Sequence, residues 1–425
     1  MSAQYQASPM LDPAWGSQGI VNPVFPAGSA PFMQSVATGP GDKITYGGIF
    51  FDSSHDFNFF VGQLNADGSA NKNFNNGAVV IDSFGQAEIP YCLCVAVCDD
   101  PVNPKIYWAG QSSAPGPNMR VARFNSDGSL DQSFGNAGYV NLTLDVSLNG
   151  VSVREPSLLG NSASASGSVH LLPDGKLVLS IYYLTGIGGP GWGYIVRLHS
   201  DGSLDKSLNG TGYFQVRHSG SHATQQTCTL ISNGGDYLSA GAMFDPSADP
   251  NHVPMFARHH PDGTPDKVFG DNGFSVIADP ALAKTRLAAM GQLSTGDFVG
   301  MGSVIPSFES GLLVGVDQSG NRLWSTVSRF GGESTAWASG VVDANDRILV
   351  GGGQRRSGGG KFDVVVARFL KDGQIDPAYN LAGYVIIPSA DETVVYAMAI
   401  QSDQKVLVVV ETSGQPTLLR LLAPV

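Results

Sequence analysis

Positive charge is scarce in this chain. Lysine and arginine total 24 against 36 aspartates and glutamates, the formal net charge is −12, and Arg355–Arg356 is the longest basic run. Phosphate backbones are gripped by clustered cations, so nucleic acid is not an expected partner. Long apolar runs are missing too, which excludes a membrane-spanning helix. The opening MSAQYQASPMLDPAW has no charged segment followed by an apolar one, so no cleavable signal is read from it. The expected location is the cytoplasm, or outside the cell by a route that needs no such signal. There are four cysteines, Cys92, Cys94, Cys98 and Cys228. The first three share parity, so on a straight strand they face one side, spread too far along it for one tetrahedral ion. They read as small buried hydrophobes, and a core of this size needs no disulfide framework. The signatures G-x-S-x-G and H-E-x-x-H are absent as well.

What the chain has in abundance is glycine, 54 residues, with 25 prolines and an apolar fraction of 42%. That combination fits many tight turns around a real core, with almost no helix. The turns repeat. RFNSDGSLDQSFGNAGYV (123–140) recurs at 63–79, 197–214, 258–275 and 368–385, with a worn copy from Gly315 to about Gly332. The turn glycines Gly68, Gly128, Gly202, Gly263, Gly320 and Gly373 are spaced 60, 74, 61, 57 and 53 residues apart. The chain ends like the front of a copy and begins, at MLDPAWGSQGIV, like the back of one. With Pro9 as the marker, the two remaining gaps are 61 and 59 residues, so seven units account for the whole chain. A line of repeats needs no such split, whereas a ring does.

Each unit carries two polar turns between β-branched runs, as in LLPDGKLVLSIYY (171–183) and IQSDQKVLVVVE (400–411), and two turns joining such runs imply four strands. The expectation is an all-β fold, a seven-bladed β-propeller with four antiparallel strands per blade, the last closed by the N-terminal strand, in one domain spanning residues 1–425. A DGK-type turn, followed about twenty residues later by R-x-x-x-D-G-S-L-D-x-S-F-G-x-x-G, resembles the bacterial delta-60 repeat over essentially the whole chain. That resemblance implies the propeller fold and little about activity. The worn copy, DQSGNRLWSTVSRFGG, departs furthest from the pattern.

The repeated turn also resembles a calcium loop, D-x-D/N-x-D-G-x-x-D, except that Arg123 stands in the first position. A fixed cation there repels Ca²⁺ and offers its guanidinium to the carboxylate that calcium would have used. Arginine is matched by aspartate eight residues on in Arg123/Asp131, Arg197/Asp205, Arg258/Asp266, Arg368/Asp376 and, across the termini, Arg420/Asp12. Where one is lost so is the other, as in Gln63/Asn71 and Gly315/Leu323. Joint loss points to contact, so these are read as structural ion pairs, and no metal and no cofactor are expected.

Other motifs fail on context. Gly186, Gly188 and Gly191 satisfy G-x-G-x-x-G, but a strand follows where a dinucleotide site needs a helix. RRSGGGKF (355–362) lacks Walker spacing. Asp245, Asp249 and His252 sit in a Pro-rich acidic loop, read as solvated. In a four-stranded meander both repeated turns lie at one end of the blade, and the irregular loops, with the insertion 144–167, lie at the other. Binding residues concentrate on varied loops carried by a regular scaffold. The irregular end is therefore the expected working face, with Trp192, His55, His252, Arg355 and Arg356 as the candidate ligand contacts. The expected function is binding of a glycan or protein partner by a monomer, more an adaptor than an enzyme. The alternative is a propeller-type hydrolase or lyase with its site at the channel mouth.

Overall fold

The computed structural model describes residues 10–51, 57–85, 89–113, 117–145, 167–184, 191–247, 251–282, 284–304, 310–330, 334–356 and 361–423. Among these lie 28 strands and three short 3-10 turns, with no α-helix. The strands form antiparallel four-stranded meanders, called blades below and named by their residue ranges. Five sheets, containing blades 30–82, 90–143, 285–328, 335–387 and 393–421, have four strands each. A sixth sheet has eight, and consists of blades 167–216 and 223–276 joined at a single parallel pair, Gly191 with Ala223.

The first strand of each blade packs against the first strand of the next, in chain order from Ala30–Gly39 through Pro90–Val97, Gly167–Leu171, Ala223–Ile231, Thr285–Gln292 and Thr335–Val342 to Thr393–Ile400. This last strand packs back on Ala30–Gly39. The first strands therefore form a ring. Its core lies between blades rather than at one centre. Val178 and Ile195 meet Tyr237 and Met255 across one junction, and Trp15, Phe60, Leu64, Leu407 and Leu418 fill the junction where the chain's two ends meet.

At that junction Ile20 and Val21 pair with Leu419 and Leu418, adding a fourth strand to blade 393–421. Farther out, the Asp12 amide donates to the Arg420 carbonyl at 2.9 Å. The same bond joins Asp131 to Arg123 at 2.9 Å and Asp205 to Arg197 at 2.9 Å, so the copy split between the termini is rebuilt in space with the geometry of the unbroken ones.

Six of the first strands carry a β-bulge, including Met33/Ser35, Cys92/Cys94 and Trp337/Ser339. A bulge pushes the strand toward its neighbour, and in five of the six a glycine faces it. A Cβ on Gly241 would stand 1.8 Å from the Gln225 carbonyl oxygen, and one on Gly352 1.7 Å from that of Ala336. In blade 393–421 Val410 holds this position, so a bulge can form without glycine. The bulge also corrects the cysteine reading. One extra residue reverses the strand's alternation, so Cys92 packs in the core facing blade 30–82 and Cys94 in the core facing blade 167–216. Cys98 lies beyond the strand, its sulfur accepting from the Lys105 amide at 2.8 Å. All four thiols are free, and burial pushes those of Cys94 and Cys228 up to about 11 and about 12.

Candidate functional site

The end of the ring tiled by the repeated turns is built from one local rule. The marker glycine has a positive φ in every described copy, from 78° at Gly373 to 91° at Gly263, a conformation that a Cβ disfavours. The preceding aspartate accepts the amide and hydroxyl of the residue after the glycine, as Asp127 does from Ser129 at 2.9 and 2.6 Å. The second aspartate meets the arginine. The contacts are Arg123–Asp131 at 3.0 Å, Arg197–Asp205 at 2.7 Å, Arg258–Asp266 at 2.5 Å, Arg368–Asp376 at 2.7 Å and Arg420–Asp12 at 2.8 Å, all between buried or nearly buried side chains. In blade 30–82 the Asn71 amide donates to Gln63 Oε1 at 2.6 Å, a neutral contact in the same place. In blade 285–328 the Trp324 ring covers Gly315 where a side chain would stand, and Leu323 turns outward.

The guanidinium does more than pair within its blade. Arg197, Arg258 and Arg420 each donate to a carbonyl in the next blade's turn, Pro261 at 2.9 Å, Gln318 at 2.7 Å and Ala66 at 2.6 Å, and Arg123 reaches Ser200 in the same way. Four of the five arginines lie over an aromatic ring, Phe134, Phe269, Tyr379 or Trp15, a contact that favours the flat cation. Burial alone would raise the Asp205 carboxyl. Bonds from the Ser207 hydroxyl and amide, with the Arg197 charge, outweigh it and hold Asp205 well below the ordinary carboxylate range. A cavity of about 950 Å³ opens at this end between blades 90–143 and 167–216. Its cationic lining residues Lys105 and Arg123 are already engaged by Asp131, and Asp99 and Asp100 supply the opposite charge.

The other end holds the candidates chosen from sequence, and it treats them unequally. His55 lies outside the described residues. Arg356 is consumed by structure, since its Nε donates to Asp363 at 2.8 Å and its Nη2 to Asp363 and the Ser389 carbonyl. Arg355 is exposed at the end of its strand, in a different blade from Trp192 and His252. Trp192 sits in a strand rather than a loop, paired with Tyr183 and 8% exposed, with the Arg217 guanidinium 4.6 Å over its ring. His252 is half-buried, its ring 4.4 Å from Phe244, whose other side meets the edge of His222. Burial first, and then the charge of Arg286, pushes the His252 ring below its ordinary value.

Arg286, Tyr182 and Gln226 were not evident in the sequence, because no motif contains them and only the ring brings them together. Strand alternation places Trp192 on one side of its sheet and Tyr182, register partner of Gly193, on the other. On that second side Gln226 leans over Gly193 so closely that a Cβ there would lie 1.8 Å from its Oε1. Neither Tyr182 Oη nor Gln226 Oε1 has a hydrogen-bond partner among the described residues, though both are buried. Arg286 is within electrostatic reach of Tyr182 and of His252. Blades 167–216, 223–276 and 285–328 thus bring a phenol, an amide oxygen, an imidazole and a guanidinium to one part of the irregular end.

Three segments of the chain, 105–134, 172–208 and 344–379, match the family described as a domain of unknown function (DUF5122) beta-propeller. No curated protein matches the sequence. Among solved structures the chain is similar to polysaccharide lyase Uly1, at 10% identity and a TM-score of 0.50 over 95% of this chain and 92% of that one. It is also similar to the WD40 β-propeller domain of Doa1, at 9% identity and 0.49 over 95% and 97%. A third is the β-propeller domain of the Trilobed protease from Pyrococcus furiosus, at 8% identity and 0.44 over 94% of each chain. Identities this low speak to fold alone, and the fold is a β-propeller.

Proposed function

We propose that this protein is a seven-bladed propeller of the delta-60 repeat type, monomeric, that binds a glycan at the irregular end where blades 167–216, 223–276 and 285–328 meet. Counting the eight-stranded sheet as two blades supports the number seven, as does the rebuilt copy at the termini. The observation that carries the binding reading is the pair of buried, unpartnered polar atoms, Tyr182 Oη and Gln226 Oε1. Each costs roughly 1–3 kcal/mol while unsatisfied, and a ligand hydroxyl can donate to the amide oxygen and bond the phenol together. Arg286 and the Phe244 and His252 rings add a cation and flat faces, which suits an acidic sugar. A protein partner presenting a polar loop is the competing ligand.

A glycan array and a pull-down with the whole protein test this directly. Tyr182→Phe removes one hydroxyl, so affinity for any glycan hit should fall about tenfold, the equivalent of ~1.4 kcal/mol, with the fold unchanged. An undiminished hit would remove the site from consideration. A second reading has one observation in its favour, the half-buried His252 ring, which burial first and then the nearby Arg286 charge push below its ordinary value. In a lyase the imidazole would take the proton next to a uronate carboxylate, the guanidinium would hold that carboxylate, and the phenol would protonate the leaving oxygen. Ultraviolet absorbance from an unsaturated product, lost in His252→Gln, would make the protein an enzyme.

A further inference from the structure

Blade 223–276 departs from several sister blades at one charged position on the tiled end, which the worn blade 285–328 also fills with an aspartate, Asp297. In three other blades the residue just before the second strand is a lysine whose ammonium approaches the turn's second aspartate: Lys105 to Asp131 at 2.8 Å, Lys176 to Asp205 at 3.4 Å and Lys405 to Asp12 at 3.3 Å. Lys105 is held from a second side by Asn125, two residues after the repeat arginine, at 2.6 Å. These positions form a small cation seat. In blade 223–276 the lysine is replaced by Asp236, and the position of Asn125 is taken by His260.

The exchange of lysine for aspartate changes the local charge by two units while leaving the seat's geometry in place. His260 Nδ1 lies 3.3 Å from Asp236 Oδ1, and its Nε2 lies 3.8 Å from Asp266 Oδ1. One donor atom from each of the three residues falls within 4.8 Å of the others. Two ligands bound at about 2.0–2.1 Å around a tetrahedral ion stand roughly 3.3 Å apart, so the first pair is already at bonding distance. The Asp266 contact is to the opposite ring nitrogen, so an ion on Nδ1 gains Asp266 as the half-exposed ring rotates. Asp266 can serve both neighbours, because Oδ2 takes the Arg258 Nε at 2.5 Å and Oδ1 faces the histidine. His260 is half-exposed and able to turn, whereas His259 beside it is buried against Phe214 and Phe274 and belongs to the core.

We infer that Asp236, His260 and Asp266 bind a divalent ion of the zinc class, which replaces the lysine ammonium of the sister blades and joins the two turns of blade 223–276. One imidazole and two carboxylates form a nitrogen and oxygen set that prefers zinc to calcium or magnesium, both of which favour all-oxygen shells. The absence of metal expected from the sequence rested on the arginine of each nine-residue loop. Asp236 comes from a different turn, so that reasoning does not reach it. The inference is independent of the glycan site, which lies at the opposite end.

The test is zinc stoichiometry by calorimetry and by elemental analysis after dialysis, on the whole chain. Wild type should retain one zinc per chain. Asp236→Lys, which restores the lysine of the sister blades, should retain none, and His260→Ala at its half-exposed position should weaken binding at least tenfold. Lys176→Asp, set beside His199 and Asp205 in blade 167–216, should add a second zinc. The inference is overturned if wild type takes up no zinc, or if Asp236→Lys keeps the same equivalent.

Discussion

The two ends of this ring are made by the same strands, yet they use their side chains in opposite ways. At the tiled end the arginines and second aspartates of the repeat are bonded within their own blade and, through the arginine, to the neighbouring blade, while Trp15 Nε1 and Tyr379 Oη stay buried with no hydrogen-bond partner among the described residues. At the irregular end Tyr182 and Gln226 hold buried polar atoms with no hydrogen-bond partner among the described residues, and Arg286 and His252 share one neighbourhood outside the repeat. Repetition in the sequence therefore marks side chains employed in construction. The groups proposed to meet a ligand lie where the copies differ.

Removing residues 1–21 should damage the tiled end most. It takes away Trp15, the strand Ile20–Val21 and Asp12, leaving Arg420 buried without its carboxylate beside an open sheet edge. Light scattering after size exclusion should show aggregates in place of a monomer. A monomeric truncate with unchanged melting would mean that the ring does not depend on this strand.

Replacing a single arginine should be milder. Arg197→Gln leaves buried Asp205 with only Lys176, at 3.4 Å, as its cation, so the cost in chemical denaturation should approach the about 3–5 kcal/mol of a broken buried pair without exceeding it. Adding Asp205→Asn should recover most of that, because blade 30–82 already runs on Gln63 and Asn71. If the double variant were no better than the single, the paired losses in the sequence would have another cause.

Acid should separate two kinds of buried group at the tiled end next. Asp205 has a folded value well below its ordinary one, so its contribution is complete above pH ~4 and is lost as the pH falls through the folded value. His170 behaves differently. Burial depresses its ring, and the bond to the Thr229 carbonyl only partly offsets this, so its contribution is complete above pH ~6.5 and declines below it. Melting curves should show an early shoulder that His170→Gln removes, followed by a steeper loss below pH 4 that Arg197→Gln/Asp205→Asn reduces. The smallest effect is expected from Ser129→Ala, an exposed turn bond worth about 0.5–1 kcal/mol, with glycan binding unchanged. Weaker binding in that variant would place the working face at the wrong end.

The fold was legible because a propeller writes its architecture locally. Gly128 and its counterparts need positive φ, Arg123 needs Asp131, and the split copy needs closure, so each requirement left a mark at fixed spacing. The cysteines misled because a single extra residue in Pro90–Val97 reverses which side Cys94 faces, and bulges leave little trace in composition. The binding candidates were less legible still. Arg356 looked available but pairs with Asp363, seven residues on in a stretch outside the repeat. Trp192 looked like a loop aromatic because Gly191 and Gly193 flank it. Arg286 and Tyr182 are about a hundred residues apart in the chain, and only the curvature of the ring sets them together.

The worn turn of blade 285–328 has a mechanical meaning. Elsewhere an arginine or a backbone amide crosses to the next turn, as Gly270 does to Ser319 at 2.7 Å and Asn75 to Asp127 at 2.8 Å. Between blades 285–328 and 335–387 the Ser294 amide and hydroxyl donate to Asp346 at 2.7 and 2.5 Å on the inner side, while on the outer side, among the described residues, the Thr326 hydroxyl donates to the Gly373 carbonyl at 2.8 Å, with Trp324 lying against Gly373. The outer rim of this seam is thus tied by a side-chain hydroxyl where those others use a guanidinium or an amide. Amide protons of Arg322–Ser328 should therefore exchange ahead of the other outer strands, as the first sign that the circle is coming undone.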